Sequence, residues 1–237
     1  MTLTSAAAWE IDELEALVLF GSRARGDGDV GSDTDIAAFG ESASMADLVC
    51  LKDHLVEALG RECSLSVYSK QTAGTMAASG SLFLWHLRLE GRVLGQRSDW
   101  YGSLLACLQP YSLQKARADV DTFITALDDA EKSLARADPA LLFEESNLFS
   151  ILRSLGMIAS MVDRQPCFSR LGPICYLRRR MAGEFSLADE EIETLRAARL
   201  FYSGKSLLVP EPEIERCRSK AARLALMARS LRSSLCL

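Results

Sequence analysis

Residues 16–36 read ALVLFGSRARGDGDVGSDTDI. Ala16–Phe20 is an apolar run closed by Gly21, the pattern of a buried strand. Residues 21–34 are rich in Gly, Asp, Ser and Arg and predict a loop or turn. Asp35-Ile36-Ala37-Ala38-Phe39 then returns to an apolar second strand. A strand thus delivers a Gly21-Ser22 turn. With ten residues between them and Ser22, two aspartates, Asp33 and Asp35, stand one residue apart where the next strand starts.

These residue types point to phosphate and metal chemistry. A glycine lets backbone N–H groups approach an anionic phosphate closely, and the Ser22 hydroxyl adds a donor. Residues i and i+2 of a strand share a face, so Asp33 and Asp35 point the same way. Paired carboxylates suit hard divalent cations with oxygen ligands, Mg²⁺ or Mn²⁺. Two such ions would activate an attacking hydroxyl and neutralise a departing pyrophosphate.

A hydrophobic residue, Gly-Ser, ten residues and Asp-x-Asp, here Phe20-Gly21-Ser22 and Asp33-Thr34-Asp35-Ile36, resembles the DNA polymerase β-like nucleotidyltransferase superfamily. The wording GSRARG and SDTDI is similar to its small, minimal nucleotidyltransferase branch. The resemblance implies transfer of a nucleoside monophosphate from an NTP, such as ATP, to a hydroxyl. Asp33 and Asp35 would hold two Mg²⁺ or Mn²⁺ ions, and Gly21 and Ser22 the triphosphate. Of Arg23 and Arg25, one contacts the triphosphate and the other pairs with Asp27 or Asp29. The family carries a third carboxylate on a later strand. There this chain offers Ser64 or Ser66, and Glu62, two and four residues earlier, has their strand parity. Glu62 is therefore the candidate third catalytic acid, with an exposed strand-end glutamate as its ordinary alternative.

Outward from this motif, AWEIDELE at 8–15 reads as a short helix, residues 44–60 as a helix stopped by Gly60, and Leu65–Tyr68 as a third strand. Residues 80–90 read as a helix and Arg92–Leu94 as a short strand. Beyond residue 100 only helical spacing appears, at about 102–109, 112–136, 139–164, 170–182, 187–203 and 212–235. The expected fold class is α+β. A nucleotidyltransferase-fold domain, a small mixed sheet with helices, occupies 1–97, and an all-α helical bundle occupies 98–237.

Of the 237 residues, 49% are hydrophobic and 25% charged, which excludes collagen-like and disordered chains. No apolar run reaches the ~20 residues of a membrane span, and the acidic N-terminal stretch lacks the pattern of a secretory signal. Seven cysteines without a C-x-x-C disfavour a disulfide framework or zinc site and suit a reducing cytosol. His54 and His86 are the only histidines. With none after residue 86, the helical domain cannot carry the Arg-x₄₋₆-His of a HEPN-type RNase. His86 is expected to be a structural hydrogen-bonding residue.

Net charge is −5, with an acidic front and a basic tail. Residues 1–100 carry 15 acids and 8 bases; residues 164–237 carry 14 Arg/Lys and 8 Asp/Glu. Such asymmetry suits a metal–carboxylate site met by a phosphate-binding surface, or equally solvated helix faces. Arg153, Arg199 and Lys205 are the candidate nucleotide-binding bases of the tail. Ser203-Gly204-Lys205-Ser206 is not a Walker A loop, because neither the upstream glycine nor a strand precedes it.

Two functions are thus expected of the fold. One is a nucleotidyltransferase acting on a protein, an RNA end or a nucleotide, in a toxin–antitoxin or antiphage setting and including oligonucleotide synthesis. The other is a degenerate relative that neutralises a toxin or effector, or senses nucleotide, by binding alone.

Overall fold

The computed structural model describes residues 14–28, 33–41, 45–60, 62–208 and 211–235. They fall in two compact units, Met1–Tyr111 and Ser112–Leu237. No helix among the described residues is long and apolar enough to cross a membrane. The six cysteines among them are free.

The first unit is a four-stranded sheet in the order β3-β2-β1-β4. Its strands are β1 (Leu14–Phe20), β2 (Thr34–Gly40), β3 (Cys63–Ser69) and β4 (Arg92–Gln96). β1 runs antiparallel to β2 and β4, while β2 and β3 are parallel. That parallel pair needs a crossover, supplied by α2 (Met45–Leu59). Side-chain alternation divides the core between the two faces of the sheet. Leu17, Ile36, Ala38 and Leu94 pack on Leu51 and Leu55 of α2. Ala16, Val18, Ala37 and Phe39 pack on α3 (Lys70–Ala78), α4 (Leu82–Glu90) and α5 (Trp100–Ala106). Strands buried on both faces read as continuous apolar runs, which is why β1 and β2 were visible in the sequence.

Three local readings change. Residues 8–13 of the expected first helix lie outside the described residues, and its last two, Leu14 and Glu15, open β1 instead. Leu14 is buried, the Glu15 carbonyl accepts from the Arg97 N–H at 2.9 Å, and the Glu15 carboxylate takes Lys70 Nζ at 2.6 Å. Sheet pairing outweighs the helical spacing. Within the expected loop 21–34, residues Gly21–Arg25 form a short helix, α1, closed by Gly26 in the left-handed region at φ 84°. The unpredicted α3 has little apolar periodicity. It is set by Ser69, whose hydroxyl accepts from the Thr72 N–H, and by Ala73 and Ala77, small enough for close packing on the sheet.

The second unit is all helical among its described residues: α6 (Leu113–Leu134), α7 (Leu141–Val162), α8 (Gly172–Arg180), α9 (Asp189–Tyr202) and α10 (Ile214–Ser234). α7 is its central helix, with Leu148, Leu152, Leu155 and Ile158 fully buried. α10 lies antiparallel along α6. Arg218 caps the Leu134 carbonyl, Arg117 caps the Leu235 carbonyl, and Arg232 pairs with Asp121. Guanidinium groups at the last carbonyls of a helix satisfy orphan acceptors and oppose the helix dipole. Arg229 likewise pairs with Asp128, and Arg223 with Glu191. Much of the basic tail is therefore matched to acids inside its own unit.

The most buried of these pairs joins Lys220 to Glu145, with side chains 4% and 2% exposed. Thr194 Oγ1 adds a bond to Lys220 at 3.2 Å. Three residues away, burial and the Glu145 charge push the Cys217 thiol up to about 12, so it stays protonated and inert. Removing one partner of a buried pair leaves an uncompensated charge. Lys220→Met should lower unfolding free energy by about 3–5 kcal/mol in urea titrations. Lys220→Met/Glu145→Leu should recover most of that loss. A single variant as stable as wild type would contradict this account.

Candidate functional site

The antiparallel register sets Phe20, the last residue of β1, opposite Asp35, the second of β2. The chain leaving β1 must therefore pass the Asp35 carboxylate. It does so at Gly21, with φ at 72°, in the left-handed region. A Cβ at this position would lie 2.5 Å from Asp35 Oδ2. Both the backbone angle and the contact demand glycine. Ser22 follows in α1, its carbonyl accepting from the Gly26 and Asp27 N–H groups at 2.9 and 3.1 Å. The loop then turns back: a Cβ on Gly28 would sit 3.0 Å from Arg23 Cδ and 3.4 Å from Ser22 Oγ.

Asp33 immediately precedes β2 and has the strand parity of Asp35; both are half-buried. Thr34, between them, has the opposite parity and is 3% exposed. Register in the parallel pair places Ser64 beside Asp35 and Ser66 beside Ala37. The two serines are thus the neighbours of the aspartate strand. Glu62 precedes β3 by one residue and is exposed. Among the described residues no three His, Cys, Asp or Glu side chains are grouped to hold a metal ion. Two carboxylates still fit Mg²⁺, which is commonly bound through one or two carboxylates together with substrate phosphates.

The two arginines of the turn differ. Arg23 is half-buried beneath Gly28. Arg25 donates to Asp27 at 3.1 Å and to Glu90 of α4 at 2.8 Å. Glu90 also bonds His86 at 3.1 Å, which gives that histidine the structural role expected of it. Burial opposes ionisation of Glu90, but its bonds to His86 and Arg25 outweigh this and hold the carboxyl below its ordinary range. Nothing in the sequence marked Glu90, 65 residues from Arg25.

In the helical unit Arg153 donates to the Phe168 and Ser169 carbonyls, tying α7 to the loop before α8. Arg199 is exposed in the last turn of α9. Lys205 is exposed just beyond, its backbone N–H donating to the Leu200 carbonyl at 2.8 Å.

A strand-end glycine pressed against the second aspartate of an Asp-x-Asp pair is the local geometry of the motif. Residues 5–80 match the family described as Polymerase beta, Nucleotidyltransferase. The N-terminal unit carries a polymerase β-type nucleotidyltransferase domain. No curated protein matches the chain. The matched segment of the nucleotidyltransferase domain holds the Gly-Ser turn, both aspartates and Glu62, and ends before α4.

Gly21→Ala should leave the domain folded but displace Asp35. Overpacking and the left-handed angle together should cost about 1–3 kcal/mol in thermal or urea unfolding. Wild-type stability in this variant would contradict the contact.

Proposed function

We propose that the protein is a metal-dependent nucleotidyltransferase that moves a nucleoside monophosphate from an NTP to a hydroxyl on a protein, an RNA end or another nucleotide. The observation carrying this reading is the contact of Gly21 with Asp35, which puts a side-chain-free turn beside the paired carboxylates. Gly21 and Ser22 would receive the triphosphate through backbone and hydroxyl donors. Asp33 and Asp35 would hold Mg²⁺ or Mn²⁺, which when bound offsets the charge of the pyrophosphate leaving group. The acceptor hydroxyl oxygen bonds to the α-phosphorus and gives up its proton to solvent, the bond from that phosphorus to the α,β-bridging oxygen breaks, and pyrophosphate departs. A toxin–antitoxin or antiphage setting, with a toxin or effector as acceptor, is part of this proposal.

Exposed Glu62, and the absence of a three-carboxylate group among the described residues, favour a second reading. In it the domain keeps the turn and the aspartates but acts by binding nucleotide or a protein partner.

Pyrophosphate release from each NTP with Mg²⁺ or Mn²⁺ separates the two. Mutating even the partner of a metal ligand commonly costs about 10–100-fold. Asp33→Asn and Asp35→Asn, which remove proposed ligands, should therefore each cost about a hundredfold or more with the fold intact. Retained turnover in Asp33→Asn would overturn the metal assignment. Glu62→Gln should also lose turnover if Glu62 swings in as the third acid. No release by wild type, with tight binding of Mg·ATP or a partner, would establish the second reading.

A further inference from the structure

α4 lies outside the matched segment, yet its last turn grips the Gly21-Ser22 turn from both sides. Before the turn, the Phe20 ring meets the His86 ring edge-on, with centroids 5.7 Å apart and planes at 89°. Phe83, one helical turn earlier on α4, meets Phe20 in the same way at 5.3 Å. After the turn, Arg25 reaches Glu90 at 2.8 Å. His86 and Arg25 bond the same oxygen, Glu90 Oε2. The side chains of Arg25 and Glu90 are only 17% and 19% exposed, so solvent screens this pair less than a surface pair. Asp27 adds a second carboxylate to the Arg25 fork.

The end of α4 is itself anchored. The Gly91 N–H donates to the Leu87 carbonyl at 2.9 Å, and a Cβ on Gly91 would strike that carbonyl and Val18 of β1. α1, by contrast, has only five residues and a glycine at each end. So short a helix cannot hold its place by its own hydrogen bonds. Its position relative to Asp35 must come from outside, and the Arg25–Glu90–His86 chain is the polar tie that supplies it.

We infer that Glu90 is a positioning residue of the nucleotide site, acting through Arg25 to hold α1, and so the Gly21-Ser22 turn, against Asp35. Arg25 is thereby assigned to the support of the site rather than to the triphosphate. This rests on the nucleotidyltransferase reading of the turn. Placement errors near 1 Å can cost about a hundredfold in rate, so loosening α1 is felt in catalysis as well as in local order.

The test uses the full chain as wild type, Glu90→Gln and Arg25→Gln. Hydrogen exchange is read on the amides of residues 20–28, where Gly26 and Asp27 are protected by the Ser22 carbonyl. Pyrophosphate release from Mg·ATP is read in parallel. Either variant should speed exchange across 20–28 by tenfold or more, with exchange in α7 unchanged. Each should lower kcat/KM by about 10–100-fold, the usual range for residues that orient a ligand. The double variant should lose no more than the worse single, because the two act as one unit. Unchanged exchange overturns the inference. So does faster exchange with wild-type kcat/KM, which would make the tie purely structural. If wild type binds Mg·ATP without turnover, the enzymatic reading fails, and the tie is judged by a tenfold loss of Mg·ATP affinity. If it does neither, the nucleotide reading fails altogether, and exchange alone decides whether Glu90 holds α1.

Discussion

Phe20 and Asp35 face each other across an antiparallel pair, and the chain leaving Phe20 has to cross the carboxylate of Asp35. Only a residue without a side chain can do so at that backbone angle. From this contact follow the sharp entry into α1, the half-buried place of Ser22 at its start, and the need for something beyond α1 to hold it. Helix α4 meets that need with edge-on aromatic contacts on one side and an ion pair on the other. The site is thus less a loop than a joint between a strand end, a five-residue helix and the tail of a distant helix.

The two units use charge differently. In the first, half-buried carboxylates gather at one strand end. In the second, acids and bases answer one another across helices, most completely where α10 lies along α6. Several arginines of residues 164–237, Arg218, Arg229 and Arg232 among them, fasten α10 to α6. Arg153 makes the same point, since its fork holds two backbone carbonyls.

The strands β1 and β2, the Gly-Ser turn and the aspartate pair were legible because each depends on residues close in sequence: an apolar run, a glycine, a two-residue alternation. The helices beyond residue 100 were legible through their 3.6-residue apolar spacing, to within a few residues at each end. What failed to show depends on distant partners. Glu15 looks helical until Lys70 and Arg97 are placed beside it. α3 is short and rich in small residues, so no apolar stripe announces it. Glu90 is one more acid at the end of an amphipathic helix until Arg25 is found against it. Ser64 and Ser66 stand in the sequence where the family carries its third acid, and the parallel register sets Ser64 beside Asp35 and Ser66 beside Ala37.

Strand β2 alternates between two duties: Asp33 and Asp35 belong to the site, while Ile36 and Ala38 belong to the core against α2. The two sets are interleaved on a period of two. A slip of β2 by one residue would swing Thr34 to the side of the aspartates and bury both carboxylates under α2. Loss of activity and loss of folding are therefore the same event for any insertion or deletion inside this strand. The stretch between α1 and β2 is under no such rule, because adding a residue there leaves the alternation intact. Natural variation in length should accordingly collect between Arg25 and Asp33 and stop abruptly at Thr34.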